Sequence, residues 1–223
     1  MSFDRSVTSA GLPEHVRDEL DQWVQRFPAG RQRSAIIAGL RAAQHENHGY
    51  LTRELMDGVA AYLDLPAIQV YEVATFYSMF NLAPVGDYFV QVCGTTPCML
   101  RGSKELNAVC ERVIGEQNHV SEDGKLSWLE VECLGACVNA PMVQISTKDG
   151  DHYYEDLTPE ILEDLLAKLA RGEKVKIGTQ HPNRHTSDPE GENTTLTDPK
   201  LYDGSYAQPL KEIPNSAPKA PAE

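Results

Sequence analysis

Five cysteines stand in the 223 residues of this chain, and four of them fall in two short pairs. The pairs read Cys93-Gly-Thr-Thr-Pro-Cys98 and Cys133-Leu-Gly-Ala-Cys137, with 34 residues between them. In a reducing compartment such clustering reads as metal binding or redox chemistry rather than as a disulfide framework. Four convergent thiolates have two common occupants, a zinc ion or an iron-sulfur cluster. Structural zinc favours C-x2-C knuckles, tight turns that fit two sulfurs around one small tetrahedral ion, although spacings up to four are known. Gaps of four and three residues suit the wider span of a two-iron cluster, each pair holding one iron, and they are not the gaps of a plant-type ferredoxin.

The residues between the cysteines fit that chemistry, because a cluster held by four thiolates carries net negative charge and needs donors around it. Gly94 and Gly135 permit turn conformations and close backbone approach, so that N–H groups can point at sulfur. Thr95 and Thr96 offer hydroxyl donors, or are ordinary turn residues with their hydroxyls in water. Cys110 stands apart. It falls on an apolar stripe with Leu106, Val109 and Val113 and reads as a core thiol. His45-x-x-His48 has no third ligand nearby and reads as a pair of solvent-exposed histidines. The chain holds no G-x-G-x-x-G and no P-loop, so nicotinamide and flavin must sit elsewhere. It also holds no C-x-x-C-H haem site, no nucleophile with an obvious base, and no C-x-x-C pair of a thiol-disulfide exchange enzyme. Catalysis by this chain alone is not expected.

The elements that must position the cysteines follow from periodicity. Between Leu12 and Phe80 the pattern is helical. A first helix carries Val16, Leu20, Trp23, Val24 and Phe27 on one stripe; a second, from about Arg31 to His45, turns Ile36, Ile37, Leu40 and Ala43 inward. A third is capped by Thr52 and has Leu55, Val59, Tyr62 and Leu63 on one face. A fourth follows Pro66 and runs through Val73, Phe76, Tyr77 and Phe80 as a core stripe, leaving Tyr71 and Met79 off it to meet a partner. At Pro84-Val85-Gly86-Asp87 the pattern changes to β-α-β-β-β-α: strands at Tyr88 to Cys93 and Trp128 to Glu132, a hairpin of Met142 to Ser146 and His152 to Glu155, and a final helix from Thr158-Pro159. A helix of about 15 residues spans about 22 Å and a strand of about six spans about 20 Å, so the chain leaving Cys98 goes out and returns. Both pairs then lie just past the carboxyl ends of two parallel strands, where open α/β sheets bind ligands.

Composition sets the surroundings. An apolar fraction of 41% predicts a folded protein with a core, in three stretches: a helical bundle over 1–83, an α/β domain over 84–179, and a tail over 180–223. The tail holds half of the 14 prolines and few large apolar residues, and is expected to be flexible, with Tyr202 and Tyr206 as candidate anchors on a partner. The net charge of −13 excludes nucleic acid as the natural partner and leaves proteins. No stretch approaches the roughly 18 apolar residues of a membrane span, and the start MSFDRSV lacks a signal-peptide core and the Arg content of a transit peptide. The expectation is a bacterial cytoplasmic protein with no direct membrane insertion.

From about Ser34 to Ile177 the chain resembles the 24 kDa subunit family of the NADH-quinone oxidoreductases known as respiratory complex I. The resemblance rests on Gly49-Tyr50-Leu51, on Val70-Tyr71-Glu72-Val73-Ala74-Thr75-Phe76-Tyr77-Ser78-Met79-Phe80, on both cysteine pairs and on Ala140-Pro141. It implies an α+β chain in which a small helical bundle precedes a thioredoxin-like ferredoxin domain, and one [2Fe-2S] cluster ligated by Cys93, Cys98, Cys133 and Cys137. It further implies docking on a flavoprotein that holds NADH and FMN, single-electron exchange with that flavin, contact with other peripheral-arm subunits, and a place on the cytoplasmic side of the inner membrane within a proton-translocating complex. Alternatives on the same residues are the equivalent subunit of a soluble NAD-linked formate dehydrogenase or hydrogenase, and a zinc-stabilised interaction module.

Overall fold

The computed structural model describes residues 12–187 and 197–201. Four helices come first: α1 (Glu14–Val24), α2 (Ile36–Glu46), α3 (Arg53–Tyr62) and α4 (Ala67–Phe76), with a 3-10 turn at Gln32–Ala35 leading into α2. Their common core is Val16, Leu20, Leu40, Val59 and Val70, with Trp23, Val24 and Phe27 packed at its rim. Thr52 caps α3 by accepting a hydrogen bond from the Leu55 amide at 3.3 Å.

Three inward positions expected from periodicity in these helices, Ile37, Phe76 and Tyr77, are corrected by the structure. Ile37 is 38% exposed, because Ile36 and Leu40 already face the core and Ile37 lies about 100° round the helix from Ile36. On α4 the buried face is Val70 and Ala74, whereas Phe76 is 79% exposed and Tyr77 40%. Phe76 stands two residues, about 200°, beyond Ala74. The helix ends there and Tyr77 is extended (φ −90°, ψ 117°), so the helical stripe does not continue, and Phe80 reaches the core from a loop.

The remainder is a five-stranded sheet in the order β2-β1-β3-β4-β5, with β1 Tyr88–Cys93, β2 Leu126–Val131, β3 Val143–Thr147, β4 Gly150–Glu155 and β5 Gly178–Thr179. β1 pairs parallel with β2 and antiparallel with β3; β3 and β4 form the hairpin, and β5 joins β4 in parallel. Three helices belong to this part: α5 (Thr96–Leu100), α6 (Ser103–Val113) and α7 (Pro159–Ala170). α6 and α7 share one core with the sheet through Leu106, Val109, Cys110, Leu162 and Leu166 against Val90, Val92, Trp128 and Ile145. Val113, expected inward, is 37% exposed as the last residue of its helix. The buried Trp128 indole donates to the Gly115 carbonyl at 2.7 Å, which satisfies its one polar atom.

The sequence pattern misses α5, too short to show a period, and β5, only two residues long. Packing also runs past residue 179 to Ser187, through polar contacts that leave no apolar period: the Gln180 amide donates to the Glu155 carbonyl at 3.0 Å, and the Ser187 amide reaches the Glu155 carboxylate at 3.0 Å. The described residues up to Ser187 belong to one compact unit, and 197–201 belong to another, where Pro199–Leu201 form a 3-10 turn. Residues 1–11, 188–196 and 202–223, with Tyr202 and Tyr206 among them, lie outside the described residues.

Candidate metal centre

Parallel pairing of β1 with β2 positions the cysteines. Cys93 closes β1 opposite Val131, the last residue of β2, and Cys133 follows two residues later. The Cys93 amide is held by the Met142 carbonyl at 3.3 Å and the Gly94 amide by the Val131 carbonyl at 2.9 Å, so the first cysteine is part of the sheet. Cys98 is 1% exposed on α5, which Pro97 helps to open at a position whose missing N–H has no intrahelical partner to lose. Cys93 and Cys98 share a small apolar cluster with Ala136, Ala140 and Met142.

The second pair lies on an exposed loop. Gly135 takes φ +85°, a conformation open to glycine, and its amide donates to Cys133 Sγ at 3.4 Å. Cys133 Sγ and Cys137 Sγ are 3.8 Å apart. Two thiolates bound at ~2.3 Å to one tetrahedral ion lie ~3.8 Å from each other, so this pair stands at the separation of two ligands on one metal. Cys93 packs with Cys98 in one buried cluster and contributes to the acidity shifts of Cys98, Cys133 and Cys137. The structure therefore brings all four cysteines to one end of the sheet. Among the described residues no three of His, Cys, Asp and Glu converge on a single ion position; the sulfurs are disposed as pairs. Four soft thiol donors in two pairs fit a [2Fe-2S] cluster, one pair to each iron.

The thiols differ in acidity for physical reasons. Burial, then the neighbouring Cys93, pushes Cys98 up to about 12. Cys133 is lowered, first by the Gly135 amide and next by the Thr95 hydroxyl, while Cys137 is raised, chiefly by Cys133 beside it. Thr95 Oγ1 also lies 3.6 Å from Cys93 Sγ, so of the two candidate hydroxyl donors this one reaches sulfur; Thr96 is exposed. Loading a metal must expel the protons that these thiols keep.

Other residues at the site are invisible to motif reading. Tyr153 donates to the Leu134 carbonyl at 2.6 Å, holding the loop between Cys133 and Cys137. Asn139, two residues beyond Cys137, is buried and donates to the Glu155 carboxylate at 2.6 Å. The Glu130 side chain lies against Gly94 where any Cβ would overlap it. All act across strands and loops, so only tertiary proximity identifies them. Cys110 is fully buried in the α6–α7 core, a separate cluster from Cys93 and Cys98, and burial pushes its thiol up to about 12. His45 and His48 are both exposed.

Comparison with known proteins shows the family of the chain. The profile of the thioredoxin-like [2Fe-2S] ferredoxin family matches residues 20–170. The E-type subunit of the NADH-quinone oxidoreductase of Rickettsia bellii (strain RML369-C) is 49% identical over 169 residues, 75% of this chain and 93% of that protein. The mitochondrial NADH dehydrogenase [ubiquinone] flavoprotein 2 of Dictyostelium discoideum is 41% identical over 182 residues, 81% of this chain and 72% of that protein. A crystal structure of a NAD+-reducing [NiFe]-hydrogenase in the air-oxidized state shares the fold, with TM-score 0.51 and 18% identity over 65% of this chain and 24% of that one. With two cysteine pairs set at the ends of adjacent parallel strands, and with relatives matched over most of their own length, the chain belongs to the thioredoxin-like [2Fe-2S] ferredoxin family and, within it, to the E-type subunits of NADH-quinone oxidoreductases.

Proposed function

We propose that this chain is the [2Fe-2S] electron-transfer subunit in the NADH-oxidising part of an NADH-quinone oxidoreductase, with Cys93, Cys98, Cys133 and Cys137 as the four ligands. The observation that carries the reading is the arrangement of two cysteine pairs at the carboxyl ends of β1 and β2, one pair with its sulfurs 3.8 Å apart. A [2Fe-2S] cluster, when bound, supplies a one-electron carrier. The residues of this chain do the rest: Cys93 and Cys98 anchor one side in the sheet and the apolar cluster, the Gly135 amide and Thr95 hydroxyl give hydrogen bonds to sulfur, and Cys133 and Cys137 bring the other side to the surface. Hydrogen bonds to sulfur and solvent exposure are the levers that set such a centre's potential.

NADH and FMN belong on a partner flavoprotein in this proposal, since no phosphate-cradling loop stands in the chain. The exposed Met99, Leu100 and Val138 adjoin Cys98 and Cys137 in the sequence and would be covered by that partner, with the exposed sulfur pair then turned toward the flavin. Phe76, Tyr77 and Met79 form a second exposed apolar set, suited to the flavoprotein or to another peripheral-arm subunit. No helix of the described residues is long and apolar enough to cross a membrane, so the chain would attach to the cytoplasmic side of the bacterial inner membrane only through its complex. The test is iron and acid-labile sulfide per chain on anaerobically purified protein. Two of each, with a reduced S = 1/2 signal, are expected; one zinc and no sulfide in folded protein overturns the ligand assignment.

A further inference from the structure

The two ligand pairs are held in different ways. Cys93 belongs to the sheet and Cys98 to a buried helix, but Cys137 opens an isolated 3-10 turn, Cys137–Asn139, on the exposed side. A single turn does not hold its own shape, and this one is fastened by polar groups from the end of β4 and from the segment that follows β5. The Val138 carbonyl accepts from Arg184, whose guanidinium also pairs with Asp156. The Asn139 carbonyl accepts from the Asp156 amide at 2.8 Å, and its side-chain amide donates to Glu155 at 2.6 Å and to the His185 carbonyl at 2.7 Å. Glu155 is 0% exposed, and it accepts further from the amide and hydroxyl of Ser187. A fully buried carboxylate is costly wherever it is not needed, and every described partner of this one lies on the ligand turn or on the segment that straps it down.

We propose that Glu155, together with the strap of residues 178–187, is a positioning device for the Cys137 ligand: by gripping Asn139 it fixes the exposed half of the metal centre and so sets the centre's reduction potential and its resistance to iron loss. This inference rests on the ligand assignment above. The strap extends β4 by one parallel strand, Tyr154 beside Gly178 and Glu155 beside Thr179, so the grip is tied to the sheet that carries Cys93. Cys133, at the other end of the loop, has a further hold of its own in Tyr153, which donates to the Leu134 carbonyl.

The experiment compares Glu155→Gln, Asn139→Ala and Ser187→Ala in the full chain with Cys110→Ser, a core substitution away from the turn. On cluster-free protein, amide hydrogen exchange over residues 136–140 should rise at least tenfold in the first three while residues 93–98 stay as in wild type. On loaded protein, the same three should shift the midpoint potential and release iron to a chelator at least tenfold faster, whereas Cys110→Ser lowers thermal stability and moves neither. Should Asn139→Ala or Glu155→Gln fail to fold, Ser187→Ala, which removes one hydroxyl, decides alone. Folded strap variants with wild-type exchange, potential and iron release overturn the inference, as does a control that shifts equally. A wild-type chain without iron and sulfide overturns the ligand assignment and removes this inference with it; a loaded wild type with indifferent variants overturns the positioning role only.

Discussion

Cys133 is exposed like Cys137, but a backbone donor, the Gly135 amide, holds its pKa below the usual thiol range. In cluster-free protein near pH 8 it should therefore be the first to react with iodoacetamide, since the thiolate is the nucleophile. Raising the pH recruits Cys137, which is exposed but raised by its neighbour, and Cys98 and Cys110, both pushed up to about 12 and buried, react last. Peptide mass spectrometry over time reads this order, and early labelling of Cys110 would contradict its burial. Serine substitution separates the same residues differently. Replacing Cys93, Cys98, Cys133 or Cys137 should cost cluster content or shift its spectrum, because an alcohol is a poor iron ligand. Cys110→Ser should keep the cluster and lose roughly 1 to 3 kcal/mol of stability from a hydroxyl buried among Leu106, Val109 and Trp128, as urea unfolding would report. The convergence of the four cysteines and the core place of Cys110 are legible in the sequence because residue type and spacing carry them. Asn139, Tyr153 and Glu155 are not, since nothing in their neighbours along the chain distinguishes them from ordinary loop and strand residues.

Elements that present the site depend on a few local conditions. Gly86, just before β1, donates its amide to the Ser127 hydroxyl at 2.9 Å, and a Cβ on it would lie 2.7 Å from the Leu126 backbone. Gly86→Ala should force β1 away from β2 at its start, costing on the order of 1 to 3 kcal/mol as overpacking does, and lower the thermal midpoint of the full chain; an unchanged midpoint would mean that the strands part freely there. In the helical part, Thr52→Ala should cost about 1 kcal/mol through the lost cap of α3, with cluster content unaffected. The amphipathic helices α1, α3 and α7 can be read from periodicity because each has one buried face, and β1 and β2 from short apolar runs, β1 being buried on both sides at Phe89, Val90, Val92 and Cys93. Periodicity places α4 one face off: the run is apolar nearly all round, and only the exit into extended backbone at Tyr77 tells which side meets the core. α5 has no period to detect, and the strap of 178–187 is held by hydrogen bonds rather than apolar contacts.

At the scale of the molecule, the two larger apolar cores among the described residues divide the labour: one packs four helices, and the other backs the sheet with α6 and α7, beside the small cluster at Cys93 and Cys98. The sequence carries no G-x-G-x-x-G and no P-loop, so the isolated, cluster-loaded chain should give no NADH–ferricyanide activity and should gain it only in assembly with a flavoprotein; activity from the pure chain would refute the division of roles proposed above. The sheet order has a further consequence, in time rather than in space. β1 lies between β2 and β3, yet the chain is synthesised from its amino end at roughly 5 to 20 residues per second. Cys93 and Cys98 thus leave the ribosome before the neighbouring strands that complete the site, and the strap at 178–187 emerges later still. Until then the half-made centre offers two thiols without their partners, and iron delivered at that stage would meet an open chelator rather than a cluster site. All four thiols are therefore present together only once residue 137 has emerged, and the turn that carries Cys137 is fastened only once residue 187 has followed.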